Sequence, residues 1–467
     1  DWDQIHSPSP QGECLTTALT LDWKRFSSEQ ITDFCKMEAD ALREFSDLPT
    51  TTNMMGFFKG VDYNTLKNAV DIISWDNYPF WHERKDEVPE AVYTSAGNAL
   101  MRSLKREPFL LMESTPSSVS WRSHNPLKRP GMHMLSSMQA VAHGADSVQY
   151  FQWRKSRGGY EKFHGAVVDH KNGSDTRTFR EVTEVGKRLE HLSGGIKTFL
   201  NRAKAAIVFD WENWWAVEDT SGPRQDLDYV KCVTDHYRAF WECGLDVDFV
   251  SMDDDFSGYR LLAAPLNYMY KKGYSEKVRA FVEAGGTYVT TYFSGIVNET
   301  DLCFIGRHPL EDVLGVVSEE IDAPSKEFEN CFDYNGKEYP AYTMCDIVHA
   351  KAKTEIYSVY KKDFYKGCPV VTENAYGSGR AYYLSAESDQ RFLSAFYKDV
   401  LKRLPHGVTA AKREDETGRK GLVFVMNFND RQVRLEGIGK QIDAESGEVY
   451  ENVLEMAPFS CTILKLK

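Results

Sequence analysis

The feature that most restricts this chain is a series of short strands without apolar–polar alternation, each tied to a helical pattern. "TTTNMM" (50–55) precedes "YNTLKNAV", "DIISWDNYP" (71–79) precedes "VYTSAGNALMRSLKR", and "PFLLMES" (108–114) precedes "GMHMLSSMQAVAHG", which leads into "SVQYFQWR" (147–154). A strand that is apolar on both faces must be covered on both, which predicts a parallel sheet clothed by helices. Gly144 is placed as the C′ residue closing the third helix. Ahead of the first strand, Ser27 and Gln30 have capping-box spacing before Ile31, Phe34, Leu42 and Phe45, which predicts a helix starting there with one apolar stripe.

Chemistry-bearing residues gather at the C-terminal ends of these strands: Asn53, then Trp75, Asp76, Asn77 and Tyr78, then Glu113, then Trp153 and Arg154. In parallel α/β folds, and in (β/α)8 barrels above all, that edge carries the site. From about Arg202, "AAIVFD", "LDVDFVSM", "RLLAAPLNYMY" and "GTYVTTYF" alternate with helical segments, predicting a doubly wound α/β unit. The last segment, with "GLVFVMNF", "RQVRLEG" and "FSCTILKLK" separated by turns at Asn429-Asp430 and Ser446-Gly447, reads as a small antiparallel β domain. The expected division is 1–198, 199–404 and 405–467, in keeping with roughly 150 residues per domain for a chain of 467.

A net charge of −13 without a Lys/Arg stripe excludes a nucleic-acid partner. Nine cysteines, from Cys14 to Cys461, contain no C-x-x-C pair, and no histidines stand at zinc-ligand spacing, so reduced thiols, no metal and a cytoplasmic setting are expected. No apolar run approaches the roughly 20 residues that span a bilayer, and "DWDQI" at the start has no signal-peptide character, so no membrane partner is expected.

An acid ending an apolar strand can simply cap a helix or pair with an arginine. Here Trp121 and Arg122 follow Glu113, and Phe151, Trp153, Arg154, Glu161 and His164 lie at and beyond the next strand end. Aromatic faces beside acids and imidazoles suit a sugar, whose ring has apolar C–H faces and a rim of hydroxyls. Nucleotide binding has only a lone "GSGR" at Gly377, more simply a turn, and serine hydrolysis lacks a G-x-S-x-G elbow. His133 and His143 are read as hydrogen-bonded helix residues rather than metal ligands.

The block 111–170, "LMESTPSSVSWRSHNPLKRPGMHMLSSMQAVAHGADSVQYFQWRKSRGGYEKFHGAVVDH", together with "IISWDNYP", resembles the family 42 glycoside hydrolases, the bacterial β-galactosidases, and the similarity runs over essentially the whole chain. The resemblance implies the second half of a (β/α)8 TIM barrel, then an α/β trimerisation domain, then a small β domain. It implies retaining hydrolysis of terminal β-D-galactosyl residues, with Glu113 as nucleophile, Trp121, Phe151, Glu161 and His164 lining the galactose subsite, and Tyr78 joining them. It implies no cofactor and a homotrimer. The family's acid/base glutamate, in an Asn-Glu pair, is expected upstream of residue 1, since "DWDQI" resembles the stretch after that pair; Glu212 and Glu373 fall in the second domain and do not replace it. The same chemistry extends to α-L-arabinopyranosides. The alternative is a non-catalytic sugar-binding or oligomerisation fragment.

Overall fold

The computed structural model describes residues 6–8, 16–196, 199–342, 344–398 and 407–466. The segment "DWDQI", Cys14 and the expected 198/199 and 404/405 boundaries involve residues outside these.

The first part runs α1 (Thr17–Arg43), β1 (Asn53–Met54), α2 (Tyr63–Leu66), β2 (Ser74–Asp76), α3 (Val88–Lys105), β3 (Phe109–Glu113), α4 (Met132–Ala142), β4 (Ala145–Val148) and α5 (Arg177–Ile196). The four strands form one parallel sheet in the order β1-β2-β3-β4, as two-sided apolarity requires. Gly144, at φ 111°, follows the C-cap His143 of α4, the C′ position expected of it. The fourth strand is shorter than the sequence suggests: it stops at Val148, and 149–170 form a long loop.

Helix α1 corrects the capping-box reading. It starts at Thr17, ten residues before Ser27, because the segment ahead also has a helical face: Leu21 is buried, and Lys24 and Arg25 reach acids of the second unit. Ser28 sits mid-helix without penalty, since its hydroxyl accepts the Asp62 N–H at 2.9 Å. The stripe exists but is uncovered among the described residues: Phe34 is 57 % exposed, Leu42 59 % and Phe45 88 %.

The second unit contains β5 (Ala205–Val208), α6 (Trp211–Asp219), α7 (Tyr229–Trp241), β6 (Val247–Val250), β7 (Leu261–Ala264), β8 (Met269–Tyr270), α8 (Tyr274–Glu283) and β9 (Thr287–Thr291). Its sheet runs β6-β5-β7-β9 and continues with the parallel strand Gly379–Leu384. Alternate strand residues divide between two cores. Ala205, Ile207, Leu261, Ala263 and Val289 pack with Tyr229, Val233 and Phe240 of α7, whereas Ala206, Val208, Leu262, Ala264 and Tyr288 pack with Tyr274, Val278 and Val282 of α8. Helices therefore cover both faces. Two antiparallel strands, Pro369–Tyr376 and Glu355–Val359, extend the sheet, an addition that apolar runs alone do not reveal. The "GSGR" segment is the turn between Pro369–Tyr376 and Gly379–Leu384; Gly377 has φ +58°, and a Cβ there would stand 2.5 Å from Glu283 Cα. After residue 407, strands Val408–Glu414, Gly421–Asn427 and Ser460–Lys465 form an antiparallel sheet beside the hairpin Val433–Ile442/Val449–Met456, with turns where Asn429-Asp430 and Ser446-Gly447 predict them.

Helix α3 is the centrepiece. It is buried on nearly every side, and small residues allow the close approach: a Cβ on Gly97 would lie 2.6 Å from the Trp75 ring. Its Ser95 hydroxyl receives hydrogen bonds from Gln139 of α4 (2.8 Å) and Trp241 of α7 (3.0 Å). Its Arg102, 3 % exposed, donates to Asp248 Oδ1 at 2.6 Å and to the Val247 carbonyl at 2.7 Å.

Asp62, which caps α2 by accepting the Asn64 N–H at 2.7 Å, is 6 % exposed. Burial first, and then the nearby Asp210 charge, push its carboxyl up to about 7. A raised folded-state value means that this group favours folding fully below its unfolded value, about 4, and that the contribution is lost as pH rises through about 7. Asp62→Asn keeps an oxygen for the cap and removes the charge. The expected result is a gain in melting temperature that is larger at pH 8 than at pH 5; equal gains at both pH values would refute this account.

Candidate active site

Glu113 ends β3 where the ladder to β2 slips by one residue: Trp75 pairs with Leu111, but Asp76 pairs with Glu113, leaving Met112 unmatched. Bulges of this kind at a sheet rim re-aim side chains. The slip sets two carboxyl-bearing residues side by side, and Asn53, the first residue of β1, links them. Its Nδ2 donates to Asp76 Oδ1 and Oδ2 at 2.9 and 3.0 Å and to Glu113 Oε1 at 3.3 Å. Tyr78, two residues past β2, donates its hydroxyl to Glu113 Oε2 at 2.5 Å. Each carboxylate oxygen of Glu113 thus has a donor. Burial, reinforced by this bond to Glu113, pushes the Tyr78 phenol far above its usual range and keeps it a donor. Burial also pushes Asp76 up to about 6, with Asn53 opposing and the charge of Glu113 adding to the rise.

A cluster of rings stands beside the carboxylate. His164 is central: Trp121 stacks on it (centroids 5.0 Å apart, planes 26°), and Phe151 (5.1 Å, 83°) and Tyr78 (5.8 Å, 90°) meet it edge-on. Tyr78 also meets Trp121 edge-on at 5.0 Å. These are favoured aromatic geometries. Trp121 keeps 41 % of its surface exposed, leaving ring surface free for a ligand. His164 is fully buried, with Nδ1 2.9 Å from the Gly165 carbonyl, which makes Nδ1 the protonated nitrogen. Nε2 has no partner among the described residues.

Backbone ties hold the loops after β3 and β4 together. Phe151 N donates to Ser114 O (3.0 Å), Gly165 N to Ser118 O (2.7 Å), and His164 N to Glu161 O (2.9 Å). A Cβ on Gly165 would stand 2.5 Å from Ser117 Oγ and 2.6 Å from Thr115 Oγ1, so only glycine lets the two loops meet. Buried Lys128, pushed down to about 8 by desolvation, donates to Thr115 O at 2.7 Å.

Of the six residues expected at the site, Glu113, Tyr78, Trp121, Phe151 and His164 are linked by direct contacts. Glu161 lies on the same loop, close enough for its charge to act on Tyr78. Other strand-end residues lie elsewhere. Trp75 is 4 % exposed in the core beneath Gly56 and Gly97, and Trp153 and Arg154 are exposed on the outer loop. The coupling of Asn53 and Asp76 to Glu113 goes beyond the sequence expectation; their shared signal was position at consecutive strand ends.

His133 bonds Tyr150 Oη at 3.1 Å, as expected of a hydrogen-bonded residue, whereas His143 is buried, which pushes it down to about 3, and its Nε2 has no partner among the described residues. Among the described residues no group of three or more His, Cys, Asp or Glu could hold a metal, no helix is long and apolar enough to cross a membrane, and Cys232, Cys331, Cys345 and Cys461 are among the free thiols. Glu212 pairs with Arg25 and with Lys271 (2.8 Å), far from Glu113 in role. A cavity of about 220 Å³ in the second unit, lined by Arg224, Cys232, His236 and Tyr292, contains none of the clustered rings in its wall. The convergent donors around Glu113, rather than this cavity, mark the candidate site.

Glu113 thus has a donor on each oxygen and stands at a strand mouth beside an aromatic cluster. Residues 1–192 match the β-galactosidase family model, and residues 203–408 match that of the β-galactosidase trimerisation domain. The chain belongs to glycoside hydrolase family 42, the β-galactosidases, enzymes that cleave β-galactosides. It is 42% identical to β-galactosidase Pbg of Clostridium perfringens, covering 100% of this chain and 71% of that protein, and 45% identical to BglY of Alicyclobacillus acidocaldarius, covering 93% and 66%. The solved β-galactosidase of Rahnella sp. R3 superposes with a TM-score of 0.94 at 46% identity, covering 100% of this chain and 70% of that one. Gan42B of G. stearothermophilus superposes with a TM-score of 0.95 at 40% identity, covering 100% and 71%.

Proposed function

We propose that this chain is part of a retaining β-galactosidase in which Glu113 is the nucleophile. A Glu113 oxygen attacks the anomeric carbon as the bond to the glycosidic oxygen breaks, giving a covalent galactosyl-enzyme. A second carboxyl about 5–5.5 Å away donates a proton to the departing oxygen and then accepts one from the water that releases galactose and regenerates the Glu113 carboxylate. The observation that carries this reading is the double hydrogen bonding of Glu113 by Tyr78 and Asn53 beside the ring cluster. Trp121 and Phe151 hold the apolar face of the sugar and the Glu161 carboxylate accepts its hydroxyls, while the buried His164 ring lines the subsite from behind Trp121. Galactose and arabinopyranose present the same ring hydroxyls, so α-L-arabinopyranosides fit the same chemistry.

The acid/base is assigned to a glutamate outside these 467 residues, in the part of the barrel that completes β1-β2-β3-β4. Support comes from the greater length of the relatives, from the edge position of β1, and from the exposed Phe34, Leu42 and Phe45 of α1. The domain division 1–198, 199–404 and 405–467 and a homotrimer built on the second unit belong to the same reading. One experiment addresses both chemistry and assembly: native mass spectrometry of the complete protein treated with a dinitrophenyl 2-deoxy-2-fluoro-β-galactoside. Three protomers are expected, each with one sugar adduct that peptide mapping assigns to Glu113. An adduct on another residue would sink the nucleophile assignment, and a monomer would sink the trimer. If the complete protein forms no adduct and turns over no galactoside, the non-catalytic alternative prevails.

A further inference from the structure

Arg122 follows Trp121 on the loop after β3, and its side chain reaches back to the loop after β2. One terminal nitrogen donates to the Tyr78 carbonyl, the other to the Pro79 carbonyl at 3.2 Å, and the guanidinium carbon stands 3.4 Å from the centre of the Phe80 ring. A single planar cation thus grips three consecutive residues. The Phe80 backbone N–H in turn donates to Glu90 Oε1 at 2.8 Å. Within its own loop, Arg122 is steadied by Asn125, whose Nδ2 donates to the Arg122 carbonyl at 2.9 Å.

This arrangement differs from a surface ion pair. The donors point at peptide oxygens of the segment whose first member, Tyr78, places its hydroxyl on Glu113. The residue preceding Arg122 supplies the ring that meets Tyr78 edge-on. Arg122 therefore joins the two loops at the point where nucleophile, phenol and sugar platform converge. A lysine could reach one of these carbonyls but could not bond two in a fork while stacking on Phe80.

We propose that Arg122 is a positioning residue for galactosyl transfer: by gripping the Tyr78 and Pro79 carbonyls it sets the position from which the Tyr78 hydroxyl holds Glu113. The proposal rests on the reading of Glu113 as nucleophile. It goes beyond that reading by giving a task to a side chain that touches neither sugar nor carboxylate.

The test is a double-substitution cycle in the complete enzyme. Arg122→Met is expected to lower kcat for dinitrophenyl β-galactoside about 30- to 100-fold, the scale of an ångström-level misplacement, with KM within about threefold. The double variant Arg122→Met/Tyr78→Phe is expected to be no slower than Tyr78→Phe alone, within about threefold, because losses that act through one contact do not multiply. Arg122→Lys, which keeps the charge and much of the stem, supplies the same cycle should the methionine variant fail to fold, with an expected kcat loss of about tenfold or more. Unchanged kcat in the single variants, a loss confined to KM, or full multiplication of the two losses overturns the proposal. Azide added to Glu113→Ala separates the two levels. Formation of α-galactosyl azide upholds the nucleophile whatever the cycle shows, and its failure with an otherwise folded variant removes the nucleophile reading and this proposal with it.

Discussion

Glu113→Ala in the complete enzyme is expected to lower kcat for aryl β-galactosides by about 10⁴- to 10⁶-fold, the scale seen when a covalent nucleophile is removed, or about 5–8 kcal/mol of barrier. Only the first bond-forming step is abolished. The ring cluster of Trp121, His164 and Phe151 does not depend on the Glu113 side chain, so galactose binding should change little. The vacated space admits a small anion, and azide is expected to restore turnover of an activated substrate, leaving a product with inverted anomeric configuration. Near-normal hydrolysis in this variant would mean that another group performs the attack.

Tyr78→Phe carries the second-largest expected effect. Its hydroxyl is the shortest contact to Glu113, and the phenyl ring can keep its edge-on meetings with Trp121 and His164, so the substitution deletes a donor rather than a wall. Removing a preorganised donor from a reacting centre costs about 10²- to 10³-fold in kcat, or about 3–4 kcal/mol. The loss should appear equally with activated and unactivated leaving groups, because the donor acts on the nucleophile and not on the departing oxygen. A loss confined to KM would instead make Tyr78 only a contact for the sugar.

The alternation of strands and helices in the first part was legible because each strand is apolar on both faces, a local property of five or six residues. Glu113 stood out for the same reason, as an acid closing the run FLLM. The contacts of Tyr78, Trp121, Phe151 and His164 could be expected only through resemblance, since they lie on three separate loops. What escaped the sequence depends on register and reach. The slip at Met112 that sets Asp76 opposite Glu113 is a relation between strands, invisible in either one alone. The span of Arg122 to residues 78–80 crosses more than forty positions of chain. Ser27 and Gln30 match a capping pattern locally, while the start of α1 depends on partners such as Glu212 and Asp219, nearly two hundred residues away.

The burial of α3 bears on how this molecule could be taken apart. Its Arg102 points out of the first part of the chain and finds its counter-ion on Asp248 of the neighbouring unit, with Asp246 4.0 Å away. Replacing Asp248 while the two units stay packed would leave a permanent cation buried without its counter-ion, a penalty of about 3–5 kcal/mol. The module that carries Glu113 is therefore no transplantable cassette. Any attempt to graft it onto a foreign scaffold must bring Asp248 along or neutralise position 102.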